Sequence, residues 1–566
     1  MSDFAFPPGL LLILGAFVLP QLQGKARDVL TLALPLAVLA MVWSLPLGSH
    51  VTLDFLGYQL EPAQVTKTGR LFATVFSLMA FIGAIYAYKQ ARLLELCAAY
   101  VYAGSAICVT FAGDIISLFV FWELMAIGST LVIWSAGTDA AYKASMRYLQ
   151  VHLLGGVILF AGVVARVYAT GSVEFTAMAL SADFSGESLG NALILVGFLI
   201  NAGAPPLSAW IADAYPEASP SGTVFLSAFT TKTAVYTLMV GFAGEQILIY
   251  IGVYMIFYGI IYALLENDMR RILAYSIVNQ VGFMITAVGI GTELALNGAA
   301  AHAFAHIIYK ALLLMSAGSV LYQTGVRKCS QLGGLFQTMP QTAITGMVGA
   351  LAISAFPFTS GFVTKSLETS AAAYEGHVVV WFCMVAASAG VFLHAGIKFP
   401  WFVFFQKDSG LRPPEAPLNM RIALWVFAFL CVAIGIYPDP LYAILPYELD
   451  YEPYTADHLI TQFQLLLFAG FAFFALLPLM RRTLTISLDF DWVYRKVLFG
   501  LGRWGSTKFW RIDQLLRVWI LARIQSTMVF LSQFAPVGIL SRSHPSSSMV
   551  LWTVAVLAIY LVFSFI

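Results

Sequence analysis

The chain has 566 residues, of which 60% are hydrophobic and only 10% charged, against about 45–50% and about 25% in soluble domains. So much apolar surface cannot be buried in a water-soluble globule, so lipid must be the solvent for most of it. The net charge of +1 gives a nucleic-acid partner no electrostatic support, and five cysteines without a paired spacing predict neither a disulfide framework nor a zinc site.

Sixteen apolar segments of membrane-spanning length are predicted along the chain. Segment 1 has no basic region before it and no A-x-A cleavage site, so we expect a retained helix rather than a signal peptide. The segments, numbered 1 to 16, are 7–22, 28–47, 70–88, 94–112, 115–134, 145–169, 192–213, 222–243, 246–265, 272–292, 298–322, 341–374, 378–405, 421–441, 459–479 and 549–565.

Basic residues follow most odd-numbered segments, whereas the connections after even-numbered segments carry fewer and include the acidic stretch 448–452. Lys67 and Arg70, before segment 3, are the exception. By the positive-inside rule, we expect the N-terminus outside and the odd-to-even loops in the cytoplasm. The basic residues that carry this prediction are Lys25, Arg27, Lys89, Arg92, Lys143, Arg270, Arg271, Arg327, Lys328, Lys407, Arg412, Arg481 and Arg482.

Residues 489–540 combine basic side chains with Trp492, Trp504, Trp510 and Trp519. A basic amphipathic stretch rich in tryptophan is typical of a helix that lies in the cytoplasmic membrane interface. Two short connectors around residues 500–505 are the alternative interpretation.

Several ionisable residues fall inside predicted membrane helices, where they are costly and therefore candidate functional groups; Glu123 and Lys232 are two of them. Glu123 lies in the middle of segment 5, and Lys232 lies within segment 8. The Glu123 carboxylate must pair with a cation on another helix or bind a proton, because burial disfavours its charged form. Burial likewise favours the neutral, deprotonated form of Lys232. Both residues therefore suit proton exchange, with a structural role as the alternative.

Segment 11 places His302, His306 and Lys310 four residues apart, on one helix face. Steps of about 6 Å are too wide for direct hydrogen bonds, so water would have to bridge them. Because histidine changes charge near neutral pH, the spacing suits a proton relay. A zinc site is not predicted, since no third ligand or HExxH pattern follows; histidines packed in the core without a relay role remain the alternative.

Segments 7 and 12 are each interrupted within an apolar run. Residues 202–206 of segment 7 contain a Pro-Pro pair, and Pro357 and Gly361 of segment 12 precede Lys365. Broken helices at membrane depth are tolerated where they line a cavity, and paired breaks point to an inverted repeat. The two repeats would be segments 4–8 and 9–13.

Four further polar residues have mainly structural interpretations. Lys398, near the end of segment 13, is expected to reach the interface by snorkelling, and Arg147 is expected to anchor segment 6 at the interface. His152 lies deeper in segment 6, where it could tune Glu123. Asp114 precedes segment 5 and is predicted to cap it.

Several motifs together resemble the antiporter-like subunits shared by respiratory complex I and Mrp-type multisubunit cation/proton antiporters. The resemblance covers roughly residues 70–410 and is nearest to the D-type subunits of Mrp antiporters, whereas the late amphipathic stretch and final helix resemble the largest such subunit of complex I and the A-type subunits of Mrp antiporters. The motifs are Phe-Trp-Glu123, Pro206-Leu-Ser-Ala-Trp-Ile-Ala-Asp213, Thr-Lys232-Thr-Ala-Val-Tyr, Arg271-Ile-Leu-Ala-Tyr-Ser-Ile-Val-Asn-Gln-Val-Gly282, His306-Ile-Ile-Tyr-Lys310 and Ser360-Gly-Phe-Val-Thr-Lys365.

The resemblance implies a hydrated polar axis across the mid-plane of the membrane, formed by Glu123, Lys232, the three residues of segment 11 and Lys365. The family places a lysine on the broken segment 7, five residues before a proline, where it pairs with the glutamate. This sequence has Asn201 there, followed by Pro206. Glu123 therefore lacks its expected partner. The protein could conduct a cation, use His152 or Arg147 instead, or act as a passive path.

The predicted fold class is an all-α polytopic membrane protein, with about 14–16 transmembrane helices, two inverted repeats that each contain a broken helix, and a C-terminal amphipathic interfacial helix. The predicted regions are the N-terminal helices 1–93, the repeats 94–243 and 244–410, the C-terminal helices 411–488, and the amphipathic segment with the final helix at 489–566.

The predicted function is proton translocation within a multisubunit Na⁺/H⁺ antiporter, along Glu123, Lys232, His302, His306, Lys310 and Lys365, with Asn201, His152, Arg147 and Lys398 as accessory groups. The expected partners are other membrane subunits and the lipid bilayer, in a bacterial cytoplasmic (inner) membrane. No metal or cofactor is predicted, and the chain is expected to be a transporter component rather than an enzyme.

Three other functions stay open. The chain could be the proton-pumping subunit of a complex I-like or hydrogenase redox complex, or of a proton-driven inorganic-carbon uptake system. A stand-alone transporter for an organic solute is less consistent with a chain of titratable groups.

Overall fold

The computed structural model describes residues 6–181, 185–478, 489–533 and 546–564. These form two compact units, Met1–Asp491 and Trp492–Ile566. Arg481, Arg482 and residues 534–540 of the predicted amphipathic stretch lie outside the described residues, as do the last residues of segments 15 and 16.

The first part of unit one is helical apart from one hairpin. The hairpin is absent from the sequence prediction. The sequence feature that indicates it is the alternation of Val51, Leu53 and Phe55 with polar residues. A search for apolar segments of membrane-spanning length does not detect this alternation. The elements are α1 (Gly9–Val18), α2 (Gly24–Ser44), the antiparallel strands β1 (Gly48–Phe55) and β2 (Tyr58–Val65), α3 (Lys67–Ala87), α4 (Leu93–Phe111), α5 (Ile115–Trp134) and α6 (Asp139–Thr170).

The rest of unit one contains both long helices and short helical pieces. They are α7 (Gly186–Ala202), α8 (Ala209–Ala214), α9 (Gly222–Leu226), α10 (Thr230–Gly241), α11 (Ile247–Leu265), α12 (Met269–Ile290), α13 (Glu293–Thr324), α14 (Pro340–Ile353), α15 (Ser360–Tyr374), α16 (Val378–Val391), α17 (Leu418–Ile436), α18 (Asp439–Tyr442) and α19 (Ala456–Ala475).

Unit two is a long helix followed by a second one. A π-helical turn, Val493–Leu498, leads into α20 (Phe499–Ser532), and α21 spans Ser546–Ser564. Because α20 continues through residues 500–505, the prediction of one helix is right and the alternative of two connectors is wrong. Neither helix has a buried residue within the described part of the unit.

Fourteen helices in the described residues are long and apolar enough to cross a membrane. They include Val493–Ser532, and three shorter apolar helices, Gly9–Gln21, Gly186–Ala202 and Pro340–Ile353, accompany them. Each of the sixteen predicted segments is helical, although segments 7, 8 and 12 each comprise two shorter helices. The prediction of a polytopic all-α membrane protein is confirmed, while the symmetry of the two repeats stays a prediction.

The two predicted helix breaks are present, and a third was not predicted. Segment 7 is interrupted between α7 and α8, and segment 12 between α14 and α15. Segment 8 is also interrupted, at residues 227–229 between α9 and α10. Each break leaves backbone carbonyls without helical partners at membrane depth, where protein side chains must bind them.

Glycines set the distance between α11 and α12. A Cβ atom at Gly259 would lie 2.6 Å from both Asn279 N and Tyr275 O, and one at Gly282 would lie 2.7 Å from Gly252 O. Small residues let membrane helices approach closely, and such contacts stabilise helix pairs where lipid removes the hydrophobic drive.

We expect Gly259→Leu to lower the melting temperature of the detergent-purified protein, because the new side chain must separate α11 from α12. Overpacking of this kind costs about 1–3 kcal/mol. Gly502→Leu in α20 is the matched control, since nothing lies within 4 Å of its Cβ position. Equal melting temperatures for the two variants, measured by thermal-shift scanning, would contradict this account of the packing.

Candidate functional site

Lys232 is fully buried, with 0% of its surface exposed, on α10 just after the break in segment 8. Its ammonium Nζ donates to the carbonyl of Ser227, at 2.8 Å, and to Thr231 Oγ1, at 3.1 Å. The Ser227 carbonyl lies at the C-terminal end of α9, where the helix dipole is negative. The break therefore supplies the charge that holds this lysine inside the protein.

Lys365 is held in the same way on α15. Its Nζ donates at 2.6 Å to the carbonyl of Ile353, the last residue of α14. The ammonium also lies 5.3 Å from the centre of the Phe283 ring, within range of a cation–π interaction. In segments 8 and 12 alike, a lysine on the second half-helix thus binds a carbonyl that ends the first.

Between these lysines, α13 places His302 in a hydrogen-bonded network. The ring Nδ1 lies 2.9 Å from Glu368 Oε2, and Nε2 lies 2.8 Å from Tyr309 OH. Both His302 and Glu368 are 0% exposed. The sequence prediction did not include Glu368, although a carboxylate three residues after Lys365 within segment 12 was a usable signal.

His306 and Lys310 continue along the same helix. The two histidine rings are 6.1 Å apart, centre to centre, so no direct hydrogen bond joins them. Neither ring nitrogen of His306 has a hydrogen-bond partner within the described residues. Lys310 Nζ donates to Ser276 Oγ on α12 at 2.8 Å. The predicted spacing is confirmed, and any proton transfer between these groups requires bridging water.

Glu123 on α5 has no ionic partner among the described residues. Its Oε1 atom is buried and makes no hydrogen bond. The carboxylate lies over Gly156 of α6, where a Cβ atom would collide with it. Asn201 and His152 lie next to each other on α7 and α6, both almost completely buried, but no polar atom of either side chain makes a hydrogen bond of normal geometry in the described structure.

Arg147 pairs with Asp213 on α8. Its Nε and Nη2 atoms donate to the two carboxylate oxygens at 2.7 and 2.9 Å. The suggestion that Arg147 substitutes as the partner of Glu123 is therefore wrong, because the guanidinium group of Arg147 already forms a bidentate ion pair with Asp213.

Two other predictions for polar residues have different outcomes. Lys398 is buried, and its Nζ donates to the carbonyls of Ala263, Leu264 and Glu266, at the C-terminal end of α11. It does not snorkel, because these three carbonyls replace water. Asp114 caps α5 as predicted, with its side chain accepting from Ser117 N.

Buried polar atoms without a hydrogen-bond partner recur along this set of helices. In a native structure, such atoms call for bound water or an ion. In the described part of the chain they include Glu123 Oε1, both ring nitrogens of His152 and His306, both amide atoms of Asn201, Thr233 Oγ1, Glu368 Oε1 and His394 Nε2. The same part of the chain has no group of three or more His, Cys, Asp or Glu side chains placed to hold a metal ion.

A polar cavity of about 270 Å³ borders Lys365. Its other side is lined by Glu452, in the segment that leads into α19, and by Asp457 and His458, in the first turn of α19. The positive-inside prediction places this segment on the outer face of the membrane. In that orientation the cavity would lead from Lys365 toward the outer face.

The sequence profile of a family described as "NADH:quinone oxidoreductase/Mrp antiporter, TM" matches residues 112–392. This range contains all the residues of the predicted path, from Glu123 to Lys365. The match therefore rests on the same part of the chain as the buried polar groups.

Two curated relatives and one solved structure illustrate the similarity. The chain is 28% identical over 351 residues to the D-type Na⁺/H⁺ antiporter subunit of Alkalihalophilus pseudofirmus, covering 58% of this chain and 70% of the relative. It is 31% identical over 397 residues to a probable K⁺/H⁺ antiporter subunit of the combined A/B type from Rhizobium meliloti, covering 65% of this chain but only 39% of that longer protein. A chain in the structure of the Mrp complex from Dietzia sp. DQ12-45-1b has the same fold, with a TM-score of 0.66, 22% identity, and coverage of 77% of this chain and 91% of that one.

We expect Arg147→Met to destabilise the protein by about 3 kcal/mol or less, because it leaves the Asp213 carboxylate, 3% exposed, without its counterion. The arginine side chain is itself 25% exposed, so water reduces the loss. The double variant Arg147→Met/Asp213→Asn should recover part of the lost melting temperature. The single variants Arg147→Met and Asp213→Asn are measured alongside. If the double variant loses as much melting temperature as the two single variants together, the ion pair does not stabilise the protein.

Proposed function

We propose a function from the family to which this chain belongs, that of the membrane subunits shared by NADH:quinone oxidoreductase and Mrp antiporters. In this proposal the chain is a proton-translocating subunit of a multisubunit antiporter that exchanges H⁺ for a monovalent cation. The observation that carries it is the series of ionisable side chains at membrane depth on α5, α10, α13 and α15. All of them are buried except Glu123, which is partly exposed, and several of their polar atoms lack protein partners within the described residues.

The proton path would run through Lys232, the three groups of α13 and Lys365. Lys232, Lys310 and Lys365 are each almost completely buried. Like charges repel strongly in a medium of low dielectric constant, so a proton on one lysine disfavours a proton on the next. Proton movement along the series is therefore coupled from site to site, while the backbone carbonyls keep the ammonium groups in place.

The cation side of the exchange would lie near Glu123. The carboxylate has no basic partner in the described structure, and a lone charge at membrane depth is costly. A proton or a monovalent cation would remove that cost, and Asn201 offers a carbonyl oxygen as a further ligand. Competition between proton and cation for Glu123 is a direct physical basis for exchange.

The expected setting follows from the same family. Partner membrane subunits would complete the transport pathway, and the complex would lie in a bacterial cytoplasmic membrane. The proposed regions are 1–93, 94–243, 244–410, 411–488 and 489–566, with the second and third as inverted repeats. The chain transports ions and catalyses no bond chemistry by itself.

The second candidate is the proton-conducting subunit of a redox complex, which the family description also includes. The two candidates can be distinguished by the subunits that co-purify with this chain. A complex that contains flavin or iron–sulfur subunits would favour the redox function, and one made of small membrane subunits alone would favour the antiporter.

We expect Lys232→Ala to abolish cation-driven proton movement in everted vesicles, because it removes the ammonium group that binds the Ser227 carbonyl and leaves that step of the path without a group that can carry a proton. Glu123→Gln should lower the exchange at least tenfold, about 1.4 kcal/mol or more in activation free energy. Lys143→Ala is the control, since that lysine is exposed. Normal exchange in both Lys232→Ala and Glu123→Gln would refute the proposed path.

We also expect Asn201→Lys to weaken the apparent affinity for the transported cation, because an ammonium group would compete for the Glu123 carboxylate. A Cβ atom at Gly155 would lie 3.8 Å from Asn201 Oδ1, and the next residue of α6, Gly156, faces Glu123. Asn201→Leu, which adds no charge, is the matched control. The test measures exchange against Na⁺ and K⁺ concentration, and equal affinities in the two variants would contradict it.

A further inference from the structure

Glu368 is a buried carboxylate that the proposed path does not yet use. It lies on α15, with 0% of its surface exposed, and one of its oxygens, Oε1, has no hydrogen-bond partner within the described residues. The other oxygen, Oε2, lies 2.9 Å from Nδ1 of His302. A carboxylate that is buried this deeply, with one oxygen lacking a hydrogen-bond partner, needs a proton or a cation close by.

The directions of the neighbouring hydrogen bonds determine which nitrogen of His302 carries a proton and which one faces Glu368. Gln280 Nε2 donates to Asn279 Oδ1, so the Gln280 atom that faces the network is the acceptor Oε1. Tyr309 OH donates to that oxygen at 3.0 Å. Because its single proton is already donated, the hydroxyl accepts from Nε2 of His302 at 2.8 Å.

This arrangement leaves one proton to be shared by Nδ1 of His302 and Oε2 of Glu368. With Nε2 protonated, the pair is either a neutral imidazole facing a carboxylic acid or an imidazolium facing a carboxylate. The two states differ only in the position of one proton along a hydrogen bond of 2.9 Å. No heavy atom has to move for the proton to pass from α13 to α15.

Lys365 is the neighbouring titratable group on the same helix. Glu368 follows Lys365 by three residues, so the two side chains are neighbours on one helix face. Lys365 Nζ binds the Ile353 carbonyl and lies over the ring of Phe283. Within α15, the carboxylate is therefore placed one turn from the amine that borders the polar cavity.

We propose that Glu368 carries protons between His302 and Lys365, as a step of the path proposed above. A proton on His302 moves to Oε2 and gives the neutral acid, and the acid then protonates a neutral Lys365 through a bridging water. The carboxylate is regenerated, and the lysine holds the proton beside the cavity. Charge is conserved in each transfer.

Two conservative substitutions separate this role from a structural one. Glu368→Gln keeps the length of the side chain and can still accept a hydrogen bond from His302, but it cannot take up a proton. Glu368→Asp keeps the acid and shortens the side chain. If Glu368 only positioned His302, the glutamine variant would retain more activity than the aspartate variant.

The test is cation-driven proton movement in everted vesicles that contain the whole complex, with variant levels in the membrane measured by immunoblot and Lys232→Ala as reference. We expect Glu368→Gln to lose activity about tenfold or more, and Glu368→Asp to retain a larger share. The assignment is overturned, while the proposed function stands, if Glu368→Gln is as active as the wild type or more active than Glu368→Asp. Full activity in Lys232→Ala as well overturns both.

Infrared difference spectra of the purified complex, recorded between low and high pH, give a readout that does not depend on turnover. We expect a protonated-carboxyl band that is absent in Glu368→Gln and shifted in Glu368→Asp. A band that is the same in all three proteins overturns the assignment.

Discussion

The cost of a charge inside a membrane is the constraint on which the rest of this structure depends. The buried lysines are stabilised by oxygen atoms of the protein. Lys232 and Lys365 bind carbonyls that helix breaks leave without partners, and Lys398 binds three carbonyls at the end of α11. Broken helices thus do more than line a cavity, because they supply the negative ends of helix dipoles where ammonium groups must lie.

The carboxylates follow a different rule. Asp213 is paired with Arg147 and is structural, whereas Glu123 and Glu368 each keep an oxygen atom without a partner in the described residues. The bidentate ion pair stabilises the charged state of Asp213, so this carboxylate has little tendency to take up a proton. A carboxylate that keeps one oxygen without a partner in the described residues can take up a proton or a cation there, even where, as in Glu368, its other oxygen is bound to a histidine. The difference in pairing separates groups that support the fold from groups suited to transport.

The two ends of the proposed path differ in chemistry. Near α5, a carboxylate lies with Asn201 and His152 beside α6, which suits competition between a cation and a proton. Near α15, His302, Glu368 and Lys365 form a compact series that suits protons alone, since successive groups are joined by a hydrogen bond or a single helical turn. This asymmetry is consistent with exchange of two different ions by one chain, with the groups of α13 between them.

The sequence by itself determined which parts of the chain are helices in lipid, because a span needs about 20 apolar residues and any charge within it stands out. For the same reason it identified Glu123, Lys232, His302, His306, Lys310 and Lys365 as candidates, and the helix breaks before Lys365 and after Asn201. It could not show which groups are paired: Arg147 with Asp213, Lys398 with backbone carbonyls, and His302 with Glu368 are contacts between helices. Only the tertiary structure decided these pairs, since the partner of a buried charge is fixed by how helices pack and not by the residues that precede or follow it in the chain.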